Sequence, residues 1–474
     1  MPKDLRTYLA EYERAHPNQV VRIREQISSA QEITALVTAV ERQQRYPIFV
    51  FENVLTADGR RSAFPLVTNL FASHSRCAEL LGCSSRTVAR EYYQRTRQQP
   101  IPPLVVRREE APVKEVVCRG EAIDLHAFPA PVHNFMDPGP YFSAGFLTTY
   151  DPDSGIDNCA LQRGWMKERD RVRIWMYRET HNALNFDKYE RMGREMPCAY
   201  WVGHHPLACL AAQARLGYPE SHFAAMGGLL QEPLRLVPSE TLGDEFLVPA
   251  DAEVVVEGYM QPGVRVPEGP FGEYPGYTGP QVPGTEMRVT AITHRRDAIW
   301  HTIMAGYSDH QVMGSLAIEA ALYEDVKKRV PSLENVHLPL SGACRFHAYL
   351  QLRNPRPGDA REAILRALTV DYRIKHVFVV DDDIDIWNDR EVLFALATRT
   401  MWDRDVMIFP ALRGYDIDPM VTGPYACKGG IDCTKPVGEP FSERNRPAAE
   451  VLERFQLEAY LSTEELARIP TEQQ

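Results

Sequence analysis

The chain has 474 residues, 44% of them apolar and 25% charged, an ordinary globular composition that excludes global disorder, collagen and a long coiled coil. That length exceeds one ordinary core and predicts roughly two to four domains. Lys and Arg number 53 against 64 Asp and Glu, a net charge of −11 that argues against a nucleic-acid partner. No apolar run approaches the about 18 residues of a membrane span, so no membrane association is expected. The N-terminus is charged from Lys3 and has no apolar core segment of a secretory signal. Nine cysteines, an odd number without CxxC spacing, fit reduced structural thiols, so a cytoplasmic protein is expected.

In chain order, residues 31–43 put Ile33, Leu36, Val37 and Val40 on one face of an amphipathic helix. Residues 46–54 are β-branched and aromatic and run into the turn pair Asp58-Gly59, which predicts a strand. Residues 84–97 read as a second helix opening on two serines. Pro100, Pro102 and Pro103 then enforce an extended linker, with a domain boundary near residue 110. From about 115 to 310, strand-like segments at 142–150, 171–177, 252–257 and 287–293 are separated by Gly/Pro-rich turns, a β-rich pattern interrupted by a helix at 206–216. From about 311, helix, strand, helix and strand at 316–329, 347–352, 360–368 and 377–380 follow a βαβ rhythm. Residues 446–468 read as an acidic amphipathic helical tail, packed on a partner subunit or on its own chain.

The sharpest local feature is Glu268-Gly269-Pro270-Phe271-Gly272-Glu273. Proline and two glycines exclude a helix, so a tight loop can aim both carboxylates into one space. Two acids so confined cannot both ionise cheaply, and one becomes a general acid near neutral pH. An exposed turn with two solvated acids explains the same letters. In the segment 158–163, strand alternation puts Asn158, Ala160 and Gln162 on one face and Cys159, Leu161 and Arg163 on the other. Arg163 could hold a substrate carboxylate bidentately or be a surface arginine. His181 and Glu220 lack local metal-site spacing, and the adjacent pair His204-His205 reads as loop. Asp381, Asp382, Asp383 and Asp385 follow a strand and either bind a divalent ion or serve as backbone caps. GxxxxGK[ST], GxGxxG and GxSxG are absent, which weakens NTPase, Rossmann and α/β-hydrolase readings.

Taken together, PLVTNLFAS (65–73), EGPFGEYPGY (268–277), KHVFVVDDDIDIWN (375–388), ATRTMWDRD (397–405) and KGGIDCTKP (428–436) resemble the UbiD family of decarboxylases, which use prenylated FMN. The resemblance covers nearly the whole chain. It implies an α+β multi-domain fold: an N-terminal α/β domain (1–112), a split β-barrel that binds the flavin (113–312), a C-terminal α/β oligomerisation domain (313–445) and a helical tail (446–474). It further implies that Arg163, Glu268 and Glu273 are the catalytic set, with Glu273 donating the proton that replaces CO₂. Asn158, His181 and Glu220 match the family's ligands for Mn²⁺, with K⁺ nearby, and Glu240 competes with Glu220. Cofactor contacts fall on Asn158, Ala160, Leu161, Gln162, Arg163, His181 and, for the phosphate, Lys375. Tyr274, Met304, His310 and Met313 match the substrate pocket.

The sequence departs from the family pattern at Ala160, where a small hydroxyl residue is common, and in 302–314, which lacks a Pro-rich form. The activity implied is reversible non-oxidative decarboxylation of an aromatic or heteroaromatic acid, with an α,β-unsaturated, cinnamic-type acid as alternative. A flavin prenyltransferase is implied as cofactor supplier, and a homo-oligomer, dimer or hexamer, as assembly. Two rivals remain at this point: a flavin-binding or scaffold subunit without catalysis, and a cofactor-free metalloenzyme built on Asp381 to Asp385.

Overall fold

The computed structural model describes residues 3–469. Its first layer is an α/β unit. Helix α1 (Leu5–Ala15) is capped by the Asp4 carboxylate, which accepts from the Thr7 amide. It leads through β1 (Val20–Ile23) and α2 (Glu32–Glu41) into β2 (Ile48–Phe51), whose four apolar residues are all buried. Strand β3 (Leu66–Thr68), α3 (His74–Leu80) and α4 (Val88–Tyr93) complete it. The helix expected from residue 84 begins only at Val88. Ser84 instead closes a turn, its carbonyl accepting from the Thr87 amide at 2.9 Å, and the hydroxyls of both residues lie 3.2 Å apart.

The central element is a ten-stranded sheet. In chain order its strands are β4 (Val116–Arg119), β5 (Tyr141–Phe142), β6 (Phe146–Tyr150), β7 (Asp157–Leu161), β8 (Gly164–Glu168) and β9 (Arg171–Ile174). After helix α5 (His181–Arg191) come β10 (Met196–Val202), helices α6 (Pro206–Ala211) and α7 (His222–Leu230), then β11 (Val254–Met260), β12 (Val266–Glu268) and β13 (Val282–His294). The spatial order is β7-β6-β10-β11-β13-β9-β8-β5, with β12 and β4 also pairing with β13. This path is antiparallel and open, so the sheet is a curled half-barrel. Strand β14 (Trp300–His301) leaves it and pairs in parallel with β3, so the first sheet runs β1-β2-β3-β14 and stitches the two layers together.

Helix α8 (Ser308–Arg329) follows without a break and is buried along most of its first four turns. It enters a five-stranded sheet of β15 (Leu333–His337), β16 (His347–Leu352), β17 (His376–Asp381), β18 (Val406–Arg413) and β19 (Tyr425–Cys433), ordered β15-β16-β17-β19-β18. Helix α9 (Asp359–Val370) connects the parallel strands β16 and β17, and α10 (Asp389–Arg399) leads to β18, the antiparallel edge strand. One apolar cluster joins α1, α6 to α8 and the C-terminal sheet, and a second lies under the half-barrel. No helix among the described residues is long and apolar enough to cross a membrane.

The tail, residues 435–469, is a separate unit. The continuous helix expected over 446–468 is instead two short helices, α11 (Ala449–Arg454) and α12 (Thr463–Arg468). The backbone is extended at Phe455 and Gln456, and Ser462 forms a capping box with Glu465 that restarts the helix. Its apolar side chains, Leu452, Phe455 and Leu457 among them, are exposed, so no apolar stripe holds one long helix together. The last residues of the expected tail, 470–474, lie outside the described residues.

Candidate active site

Arg163, Glu268 and Glu273 come from three separate stretches and meet at one point. Strand β7 ends at Leu161, and the Gln162 amide then donates to the Gly145 carbonyl. The chain turns there, so Arg163 does not continue the strand alternation. It lines the same cavity as Asn158, Ala160, Leu161 and Gln162, so the two faces expected from strand spacing are not separated at the site. Glu268 closes β12, and Glu273 lies in the following loop, where its amide donates to the Tyr277 carbonyl at 2.8 Å. The loop is anchored by Asp137, which accepts from the Gly272 amide at 3.0 Å. Gly269 sits at φ +84°, a left-handed conformation that suits glycine.

Nη2 of Arg163 donates to Oε2 of Glu268 at 2.6 Å, and Nη1 donates to Oε1 of Glu273. The guanidinium lies between two rings, 4.9 Å from the centre of Trp175 and 5.0 Å from that of Phe271. Glu268 is fully buried and Glu273 is 9% exposed, so the exposed-turn reading of this loop does not hold. Burial pushes the Glu273 carboxyl above its ordinary range, the charge of Glu268 adds to the rise, and Arg163 opposes both. Burial acts to lower the Arg163 pKa, but the two carboxylates outweigh it and raise it. Oε1 of Glu268 and Nε of Arg163 are buried without a partner, polar capacity left for a bound molecule.

Two cavities meet at Arg163, Trp175 and Glu273. One, of about 450 Å³, is walled by Asn158, Ala160, Leu161 and Gln162 from β7 and its turn, with His181 from α5. The other, of about 790 Å³, opens on the far side of the Arg163–Glu273 pair. Both fall in the size range of small-molecule sites. Elements that end earlier than the sequence predicts build the first. Strand β9 stops at Ile174, freeing Trp175 and Tyr177 to line it, and α6 stops at Ala211, leaving 212–216 as wall.

The expected metal ligands are gathered only in part. Asn158 and His181 line the cavity, and Asn158 donates to Oδ1 of Asn182 at 2.6 Å. Glu220 is half-exposed, paired with Arg97, and accepts from the Gly217 amide at 3.0 Å. Its charge still acts on His181, where burial lowers the imidazole pKa and Glu220 opposes that. His222, two residues on, lines the cavity with a buried, unpartnered Nδ1. Glu240 is engaged by Arg108, Lys114 and Arg119 and stands outside this wall. Lys375 binds Asp418 at 2.8 Å and is not on the wall, whereas Arg215 and Arg373 are, both paired with Asp371.

Of the expected substrate-pocket residues, His310 lines the cavity and its Nδ1 is buried and unpartnered. Tyr274 packs behind it against Tyr415, Phe346 and Arg345. Met304 and Met313 are enclosed in the two apolar clusters. The residues missed in the sequence are Trp175, Phe271, Tyr415 and His222. The aromatic end of a predicted strand for Trp175, the acidic loop for Phe271 and the proximity of Glu220 for His222 were the local signals, and Tyr415 had none.

The acidic run at 381–385 is structural. Arg399 reaches Asp381 at 2.7 Å and Asp383 at 2.8 Å, Arg353 reaches Asp382 at 3.3 Å, and Asp385 accepts from the Trp387 amide. Three of its carboxylates pair with arginines and the fourth accepts a backbone amide, so ion pairing and capping account for the run.

Family profiles described as the N-terminal, Rift-related and C-terminal domains of 3-octaprenyl-4-hydroxybenzoate carboxy-lyase match residues 13–96, 104–308 and 311–433. A phenolic acid decarboxylase of Sedimentibacter hydroxybenzoicus is 30% identical over 452 residues, 92% of each chain. An anhydromevalonate phosphate decarboxylase of Methanothermobacter thermautotrophicus is 28% identical, over 83% of this chain and 91% of that one. Among solved structures, the UbiD-class enzyme HmfF of Pelotomaculum thermopropionicum in complex with FMN aligns with a TM-score of 0.89 at 36% identity, over 97% of this chain and all of that one. An evolved dimeric form of the same enzyme, in complex with prenylated FMN, aligns with a TM-score of 0.86. With matches to all three domain profiles and a relative aligned over nine-tenths of its length, the chain belongs to the UbiD family of carboxy-lyases.

Proposed function

We propose that this chain is a prenylated-FMN-dependent, reversible, non-oxidative decarboxylase of an aromatic or heteroaromatic carboxylic acid, with Glu273 as proton donor. One observation carries it: a buried arginine bound to two carboxylates, one of them with its pKa raised, on the wall shared by two cavities. The site's residues fit a flavin phosphate. Trp175 and Tyr177 offer ring faces, while Arg215 and Arg373 set two positive charges against the single carboxylate of Asp371 on the wall. Asn158, His181 and Glu220 would hold Mn²⁺, with Glu220 exchanging Arg97 for the ion, and K⁺ would lie nearby.

The bound prenylated flavin supplies the electron sink that departure of CO₂ from an sp² carbon requires. The rest falls to the protein. Arg163 holds the substrate carboxylate and orients Glu268. The carbon–carbon bond breaks and CO₂ leaves without the bonding pair. Glu273, whose raised pKa favours the protonated form, then delivers its proton to that carbon, forming the new C–H bond. In reverse, Glu273 accepts that proton and CO₂ is fixed. Leu393, Phe394, Met401 and Trp402 are exposed apolar side chains on and after α10, which supports a homo-oligomer, dimer or hexamer.

The test is to co-produce the chain with a flavin prenyltransferase, identify the bound flavin by mass and visible spectrum, and screen aryl, heteroaryl and cinnamic-type acids for CO₂ release. Prenylated FMN together with CO₂ from an aryl or heteroaryl acid is expected. Release from cinnamic-type acids alone would favour the unsaturated-acid alternative. A chain that takes up no flavin when Mn²⁺ and the prenyltransferase are supplied would be a scaffold subunit.

A further inference from the structure

Away from both cavities, one histidine from each of two layers converges on a single carboxylate. His74 opens α3, Glu319 lies in the middle of α8 and His337 ends β15. Nε2 of His74 lies 3.0 Å from Oε2 of Glu319, and Nδ1 of His337 lies 3.1 Å from Oε1. These three ligand-type groups lie within 4.8 Å of one another, and they are the only such group of three His, Cys, Asp or Glu among the described residues. Glu319 stands five residues beyond Gly314, the last residue of α8 on the cavity wall (319 − 314 = 5), about 7.5 Å along the helix axis, and is not itself on that wall.

The Glu319 side chain has no solvent exposure, and among the described residues its ion-pair partners are the two histidines alone, with no Lys or Arg. The Leu338 amide adds one hydrogen bond at 2.8 Å. A buried carboxylate is offset by a positive charge, which here comes from an imidazolium or from a metal ion that the two imidazoles and the carboxylate hold together. The spacing suits an ion as well. Zinc–nitrogen and zinc–oxygen bonds of about 2.0–2.1 Å put neighbouring ligand atoms of a tetrahedral site about 3.3 Å apart, against 3.0 and 3.1 Å here from each imidazole nitrogen to its own carboxylate oxygen. Two imidazoles and a carboxylate are an intermediate donor set that favours zinc over manganese or magnesium. The imidazole rings stand edge to face, 5.1 Å between centres, so both nitrogens turn toward the carboxylate without the rings colliding.

We propose that His74, Glu319 and His337 form a zinc site that clips α3 of the first layer and β15 of the C-terminal sheet onto α8, with water as fourth ligand. This site is separate from the Mn²⁺ set at Asn158 and His181 and does not rest on the decarboxylase reading. The full-length His181→Ala chain, in which that other set is disabled, is stripped with chelator, dialysed against zinc chloride and passed over a desalting column, and its metal is counted by mass spectrometry. One zinc per chain is expected, falling at least tenfold when His74→Gln or His337→Gln is added. In the same His181→Ala chain, cobalt(II) is expected to give the visible ligand-field bands of four-coordinate nitrogen and oxygen ligation. A folded His181→Ala chain that retains no zinc, or zinc retained equally with either histidine replaced, would overturn the site. Should the added substitutions unfold the chain, the cobalt spectrum decides: bands present uphold the site, bands absent refute it.

Discussion

Nη2 of Arg163 stands 2.6 Å from Oε2 of Glu268, and that ion pair is closed to water because the Glu268 side chain has no exposed surface. With one arm of the guanidinium committed to Glu268 and the other to Glu273, Arg163 holds both acids at once. Its removal therefore affects more than substrate binding. Arg163→Ala leaves two buried carboxylates without a counter-charge and is expected to destabilise the fold by about 3–5 kcal/mol. Arg163→Lys keeps the charge but loses the fork that reaches both acids, so its stability loss is smaller while kcat/KM falls about 100-fold. Thermal melts beside steady-state kinetics separate the two effects.

Glu273→Gln removes the transferable proton and keeps the side-chain volume. Turnover is expected to fall by at least 100-fold with the melting temperature and flavin content nearly unchanged. An acid with a raised folded-state pKa delivers its proton below that value, so activity of the native chain should decline on the alkaline side of a limb lying above the ordinary carboxyl value of 4.5. A variant that turns over normally would show that another group protonates the product.

Gly284 of β13 leaves no room for a side chain. A Cβ there would stand 2.8 Å from the Glu268 Cβ and 2.7 Å from the Ile174 carbonyl oxygen. Gly284→Ala is expected to cost about 1–3 kcal/mol of stability. It should also push Glu268 off Arg163, lowering activity of the molecules that remain folded. Activity per folded chain, measured below the melting transition, checks this.

Asp383 is gripped by Arg399, which also holds Asp381. Asp383→Asn is expected to weaken the C-terminal sheet by about 1–3 kcal/mol and leave the chemical step unaltered. Loss of turnover in a chain that melts normally would return the acidic run to the active site.

Asp309, near the start of α8, accepts from the amides of Asn69 and Phe71 at 2.9 and 2.7 Å, and burial pushes its carboxyl up to about 7. The folded form therefore holds a proton that the unfolded chain releases near 3.8. Stability should fall as pH rises between those values, by up to about 1.4 kcal/mol per pH unit, and level off above 7. Asp309→Asn should flatten that slope in denaturant titrations from pH 4 to pH 7.

The regular elements were readable because their signals are local. Ile33 and Val37 mark the buried face of α2, and 347–352 alternates and pairs as the strand it resembles. Among the elements that ran short of their sequence signal were β7 before Arg163, β9 before Trp175 and α6 before residue 212. Each ends where the chain must leave its ladder to put a side chain on the cavity wall. Alternation or helical spacing continues in the letters past the point where backbone pairing stops, so periodicity alone overextends an element that feeds a site.

By itself, the sequence determined the broad succession of a mixed, a β-rich and a second mixed region, the Gly/Pro loop carrying two acids, and the motifs that place the chain in its family. These depend on neighbours a few residues apart. Only the tertiary structure decided that Arg163 sits between Trp175 and Phe271 while binding acids 105 and 110 residues away, that Glu220 is paired with Arg97, and that His74, Glu319 and His337 meet. Burial, counter-charge and pKa belong to groups brought together by long-range packing, and no local pattern encodes that distance.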